Sequence, residues 1–480
     1  MDTQKGLPRN LGMRISKHGW LIASLWALGV WFTFLTALSL VRYENYGSSY
    51  YDAGFYDHII WKISQGDWGA LTRTYHVEPV LYPLAAMYRV IADVRLLFVV
   101  QGFALGVTGI GLHRIASRHW KSASAGFLFT VIYLFSPYLG AISLDFHPLA
   151  LSIPFLVFAF DAAELKHYRT ASVLLLLALF CKEDVGLAVS SFGIYFYLRS
   201  RWRTGLWWGI GGVLWMLVAL FLVLNNPHSN RYDWLLKGNF QEILASLIEL
   251  APYRLSLLGI LFIPWLFMPF LRPDVLAIGL LPLLAHLLSG HLPQLTVAYH
   301  YPANYAPFLI IAGILGSRVF WESLGRRETS HCRAIRLSRV VSVAALSLST
   351  AVTFWLTTPL YSPDLINASS AKQGLELAKE YIAPNACLVT TSNIAIHYTH
   401  RTQIFLIGHE HPTCSLALFD LTRPHFLGFP DTQMHIPLEA ACEYFAQGYA
   451  PIFYQEGALL LRQGAKPDDQ IGAMLEKDCP

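Results

Sequence analysis

The chain has 480 residues, of which 54% are hydrophobic and 14% charged, with a formal net charge of +4. Soluble proteins carry roughly 25% charged residues, so this chain has too few to coat several water-facing domains. A disordered chain and a nucleic-acid binder are excluded on the same grounds. What remains is a multi-pass membrane protein, its 14 Trp and 24 Tyr suited to two wet interfaces.

A helical crossing needs about 20 mostly apolar residues. Trp20–Val41 is the first such stretch, too long for a signal-peptide h-region and without a small-x-small cleavage site before Arg42, so it is expected to stay as a membrane helix. Leu97–Leu112, Ala123–Leu144 and Pro148–Ala162 follow. Ala171–Leu198 is interrupted by Lys182-Glu183-Asp184. One helix holding those charges at mid-membrane is costly, so two shorter helices meeting near one face are expected. Leu206–Leu224, Leu255–Leu271, Val275–Leu288, Ala306–Phe320 and Val340–Leu356 complete a series of about eleven crossings.

Every second loop is basic. Lys5, Arg9, Arg14 and Lys17 precede the first span, and Arg114, Arg118 and Lys121, Lys166 and Arg169, Arg199 to Arg203, Arg272, and Arg318 to Arg339 follow. The positive-inside rule makes these loops cytoplasmic. The first outer loop, residues 42–80, is long and mixes both signs. An odd number of crossings puts the C-terminus outside. The chain therefore divides into a cytoplasmic start (1–19), a multi-pass region (20–356) and an extracytoplasmic domain (357–480).

That last part has ordinary soluble composition. Gly374–Tyr381 reads as a short amphipathic helix. Ala386–Thr391 and Ile404–Ile407 read as strands, and Pro451–Tyr454 with Ala458–Leu461 as a hairpin, which together predict a small α/β unit. Cys387, Cys414, Cys442 and Cys479 permit two disulfides in three connectivities, or stay as thiols. Cys181 and Cys332 fall on the membrane and cytoplasmic side and read as unpaired.

Charges inside a membrane protein tend to mark function. On this topology they converge on the outer face. Asp52 and Asp57 stand in an aromatic-rich loop, where Asp57 also reads as the N-cap of a helix His58–Ser64. His76 precedes Glu78-Pro79. Asp145-Phe146-His147-Pro148 fills a tight turn, Lys182-Glu183-Asp184 the next, and Arg231-Tyr232 and His300-Tyr301 complete the ring. A cavity open to the outside and fed from the bilayer is the expected arrangement; the plain alternative is a scatter of interface residues.

The combination of Asp52, His76-x-x-Pro79, DFHP at 145–148, KED at 182–184 and His300-Tyr301 resembles a bacterial family of predicted multi-pass membrane proteins of unknown function, over roughly residues 40 to 320. That family in turn resembles the GT-C glycosyltransferases. The resemblance implies a mainly α polytopic membrane fold with a small outer domain. It implies a polyprenyl-phosphate-linked sugar as donor, with the acceptor (glycan, lipid or protein) open, and Asp52 in the place of the essential acid. The usual GT-C pair of acids, adjacent or one residue apart, is absent, because Asp57 is five residues from Asp52.

In that chemistry a carboxylate takes the acceptor's proton as it attacks the anomeric carbon. Cations then meet the charge growing on the lipid phosphate, and Lys182, Arg231, His76, His147 and His300 are the candidates. Asp52, Asp57, Glu183 and Asp184 could hold a divalent ion, though the resemblance does not demand one. No phosphate-binding GxxxxGK[ST] loop occurs, which argues against an ATP-driven pump. A secondary transporter or lipid flippase, or a non-catalytic assembly subunit, stays open beside the enzyme.

Overall fold

The structure, a computed structural model, describes residues 16–225, 240–297, 299–327, 347–348, 351, 367–409, 411–422, 437–466 and 469–479. Arg231, Cys332, the basic residues before Ser16 and most of the stretch expected as the last span, Val340–Leu356, lie outside these.

Among the described residues four helices are long and apolar enough to cross a membrane: Lys17–Glu44, Val94–Trp120, Arg203–Leu224 and Ala306–Ser323. Ala123–Leu134, Tyr168–Leu179 and Pro273–Leu288 are shorter apolar helices. Two expected spans are broken. Ala123–Leu144 divides into Ala123–Leu134 and Pro137–Leu144 at Ser136, because Pro137 cannot continue the helical ladder and opens a new helix at its first position. Leu255–Leu271 becomes a helix Ala251–Phe262 followed by 3-10 turns at Ile263–Trp265 and Met268–Leu271, each with a proline near its start. The expected break at the KED triplet is present: one helix ends at Leu179 and the next, Val185–Ser200, starts after Asp184.

Helices Val185–Ser200 and Arg203–Leu224 approach closely because their facing positions are glycine. A Cβ on Gly193 would stand 2.4 Å from the Gly205 carbonyl oxygen, and one on Gly212 2.5 Å from that of Gly186. Such small-residue seams are how membrane helices pack where lipid offers no hydrophobic drive. The outer side of Arg203–Leu224 carries exposed Trp207, Leu214, Leu217, Val218 and Phe221, a lipid-facing surface.

The Val94–Trp120 helix orients the whole. Near its start, Gln101 holds the DFHP turn; near its end, Arg114 and Arg118 pair with Asp161, and Arg118 and His119 with Glu164. Gln101 and Arg118 are about 25 Å apart along the axis at 1.5 Å per residue, so the two polar groups lie at opposite ends of the bundle.

The tail folds as a five-stranded sheet of order β2-β1-β3-β5-β4, with β1 Leu388–Thr390, β2 Ile404–Leu406, β3 Leu416–Asp420, β4 Tyr449–Gln455 and β5 Ala458–Gln463. β1 pairs in parallel with β2 and β3; β5 is antiparallel to β3 and β4. The β4–β5 turn uses Glu456 and Gly457, both at positive φ, as a tight two-residue hairpin requires. The helix at Lys372–Ala378 runs on as a 3-10 turn to Tyr381. Strand β3 was not among the expected strands. Disulfides join Cys387 to Cys414 and Cys442 to Cys479, and Cys181 is a buried free thiol.

Candidate active site

The first loop does not present Asp52 on an open coil. Tyr50–Gly54 forms a π-helical turn, capped by the Ser49 hydroxyl, that runs directly into the helix Phe55–Ser64. Such turns are frequent at functional sites. Gly54 leaves room there for close packing, since a Cβ would lie 3.0 Å from the Tyr50 ring and 3.1 Å from Ile396 of the tail. Asp52 is half-buried.

The DFHP turn is fixed from behind by one side chain. Gln101 Nε2 donates to the carbonyls of Ile142 (2.7 Å) and Asp145 (2.8 Å), and its Oε1 accepts from the His147 N–H at 3.0 Å. Asp145 Oδ1 accepts from the backbone N–H groups of Ala53 (3.3 Å) and Phe146 (3.1 Å). Asp145 therefore ties the turn to the Asp52 loop. Burial pushes its carboxyl up to about 6, against the pull of Arg42.

His147 sits between two groups. Its Nδ1 accepts from the Leu149 N–H at 3.2 Å, so the ring proton is on Nε2, which faces the Tyr56 hydroxyl at 3.2 Å. Tyr56 in turn donates to Glu78 Oε1 at 2.8 Å. Glu78 is fully buried, and burial, with the nearby charge of Glu183, pushes its pKa well above the usual carboxylate range. The His147 ring stacks on that of His300, centroids 3.3 Å apart, and His300 lies against Tyr301.

The KED turn faces the same group. Glu183, fully buried, accepts from His76 Nδ1 (2.6 Å) and the Val77 N–H (3.0 Å). Burial pushes Glu183 up, but His76 and Lys182 outweigh it and hold the carboxyl low. Lys182 Nζ is 3.7 Å from Asp184 Oδ2 and 5.7 Å from the centre of the Tyr301 ring. Asp52, His76, Asp145, His147, Lys182, Glu183, Asp184, His300 and Tyr301 thus belong to one connected neighbourhood, and Tyr56, Glu78 and Gln101 join it.

Asp57 does not, and it is no N-cap. It stands in the first turn of Phe55–Ser64, buried, accepting from Tyr88 (2.5 Å), the Thr399 hydroxyl and His400 Nε2 (3.1 Å). Its partners make it an anchor for the tail, and the four acids named for a divalent ion do not form one cluster among the described residues. The same interface includes His58 Nδ1 to the Thr399 carbonyl (2.6 Å), Tyr46 to Glu376 (2.6 Å) and His397 stacked on Tyr43.

This interface predicts a pH response. Burial lowers His58 to about 4, in the company of Thr399, Lys62, Asp57 and His400, and lowers His397 to about 3, beside Lys379, Glu376 and Lys372. Both must stay neutral when docked, so their contribution is whole above the unfolded value near 6.5 and falls as pH drops toward 4. Limited proteolysis at pH 7.5 and 4.5 is expected to cut the loop–tail junction faster at the lower pH. Equal rates at both would remove this role for the two histidines.

A family described as predicted membrane protein (DUF2079) matches residues 42–417. The chain belongs to this family. The matched stretch contains the whole neighbourhood from Asp52 to Tyr301, and Thr399 and His400 besides. No curated protein matches the sequence. In fold the chain is similar to ArnT from Cupriavidus metallidurans in the apo state, with TM-score 0.50 and 15% identity over 92% of this chain and 100% of that one. It is similar too to ArnT from the same organism bound to undecaprenyl phosphate, with TM-score 0.52 and 15% identity over 91% and 99%. At this identity the likeness is one of fold.

Proposed function

We propose that this protein is a membrane glycosyltransferase that moves a sugar from a polyprenyl-phosphate-linked donor to an acceptor on the outer face of the cytoplasmic membrane. The observation that carries the reading is the polar neighbourhood of Asp52, His147, Lys182 and His300 at one end of an apolar bundle. The fold shared with a protein solved with undecaprenyl phosphate supports a lipid-linked donor. Asp52 takes the acceptor's proton. Lys182 and His300, with His76 beside them, meet the phosphate, and Tyr301 offers an aromatic face to the sugar. Asp145, His147, Glu183 and Asp184 hold these groups in register; Arg231 keeps its proposed role at the phosphate.

The topology is part of the proposal: about eleven crossings, residues 1–19 inside, the multi-pass region to 356, the loop 42–80 and the domain from 357 outside. The two disulfides support it, since such bonds persist in oxidising compartments. So does the separation of the Arg114–Arg118 cluster from the Gln101 end. Cysteines placed at Tyr75 and Arg326 are expected to label from opposite sides of sealed vesicles; labelling from the same side removes the topology.

The test of the function is incubation of the purified protein with labelled polyprenyl-phosphate sugars in lipid. Release of sugar from the carrier is expected. Binding of the carrier with no release, across the common hexose and pentose donors, would favour a flippase or an assembly subunit.

A further inference from the structure

Asp52, His147 and His300 each present one ligand atom, and these atoms lie within 4.8 Å of one another. They come from three separate elements: the π turn at Tyr50–Gly54, the DFHP turn, and the residue that opens the 3-10 turn Tyr301–Asn304. An ion at the centre of a triangle with that side stands about 2.8 Å from each corner. A movement of about 0.7 Å per ligand reaches the distances of roughly 2.0–2.2 Å at which zinc binds imidazole and carboxylate.

We infer that Asp52, His147 and His300 form a divalent transition-metal site of the zinc class. The donor set decides the class. Two imidazoles and one carboxylate suit zinc and its neighbours, whereas magnesium and calcium take oxygen ligands. Three protein ligands leave a position open, as in sites that act on a substrate; closed structural sites have four. Asp145, the nearest other acid of the turn, is already committed to the Ala53 and Phe146 N–H groups.

The surroundings also fit. A ligating histidine hands its second ring nitrogen to an outer partner that fixes its tautomer. His147 does this through Nε2 to Tyr56, and Tyr56 to Glu78. Ligation through Nδ1 would keep that chain and take the place of the 3.2 Å bond from the Leu149 N–H. The His300 ring is stacked on that of His147, so its nitrogens lie close to those of His147, and one ring has to turn out of the stack for both to point at the ion. A carboxylate has two oxygens, so one oxygen of Asp52 can hold the ion while the other serves as base. That last use rests on the transferase reading; the metal site itself does not. Within that reading His300 would act on the phosphate through the ion, which would supply charge stabilisation for the departing group beside Lys182.

The test needs no sugar transfer. Full-length protein in detergent is stripped with chelator, titrated with zinc and assayed by elemental analysis, and in parallel loaded with cobalt(II) for its visible spectrum. About one zinc per chain and intense ligand-field bands of a low-coordinate cobalt ion are expected for the wild type. Asp52→Asn and His300→Ala are expected to lower zinc affinity at least tenfold and to change the cobalt bands. His18→Ala, at the exposed start of the first helix, is expected to leave both unchanged. Folded wild-type protein that retains no zinc and gives only the spectrum of hydrated cobalt overturns the site. So does zinc binding that is equal in wild type, Asp52→Asn and His300→Ala.

Discussion

Asp52→Asn is expected to lower the proposed sugar transfer by about two to four orders of magnitude, the usual loss when a general base is removed, while the protein stays folded and binds its donor lipid. Asparagine keeps the size of the side chain, so the π turn and its Ser49 cap are undisturbed, but the amide cannot take a proton. Lys182→Ala behaves differently. Lys182 is nearly buried between Asp184 and the Tyr301 ring, and a phosphate carries charge in the ground and transition states alike. Its loss is expected to weaken donor binding about 10- to 100-fold, the worth of a hydrogen bond to a charged group, and turnover with it. Donor affinity and transfer rate, measured on both variants after a thermal-stability check, separate the two roles. Full transfer activity in Asp52→Asn would end the catalytic assignment.

Glu183→Ala is the change with the largest expected effect on stability. Glu183 is fully buried and holds His76 and the Val77 N–H together. Removing one partner of a buried pair costs about 3–5 kcal/mol, because the other is left without compensation. Glu183→Gln, which still accepts from Val77, is expected to lose less. Thermal unfolding in detergent orders the three proteins as wild type, Gln, Ala. A Glu183→Ala protein as stable as wild type would mean that the turn does not depend on this pair.

Much of the membrane part was legible because hydropathy and charge act locally. Apolar runs named the long helices, and the cost of Lys182, Glu183 and Asp184 in lipid named the break between Leu179 and Val185. The errors have physical reasons. Ala123–Leu144 is apolar throughout, so hydropathy runs across Ser136; only Pro137 marks the division. Leu266 and Phe267 adopt positive φ without being glycine or asparagine, and only the flanking Pro264 and Pro269 hint at it. Strand β3, LALFD, is buried on both faces and so lacks the alternation that reveals a half-exposed strand.

The neighbourhood itself was readable from polar residues beside apolar ones, yet its supports were not. Gln101 carries a signal of its own: an amide inside an apolar span must find partners within the protein. Glu78 lay in plain view beside Pro79, but its link through Tyr56 to His147 depends on three elements meeting. Asp57 reads as a cap or a site acid from its neighbours alone, because Thr399 and His400, which claim it, lie more than 300 residues away and nothing local points to them.

The same long reach bears on how the protein is made. The loop that carries Asp52 and Asp57 leaves the ribosome early, and the segment that caps it is among the last to be synthesised. Until the tail, with its two disulfides, has closed over the loop, Asp57 and His58 lack the Thr399 and His400 groups they meet in the folded protein. Closure of this interface is therefore a late event in synthesis, and a chain ended ahead of Thr399 leaves Asp57 and His58 without the tail groups that hold them.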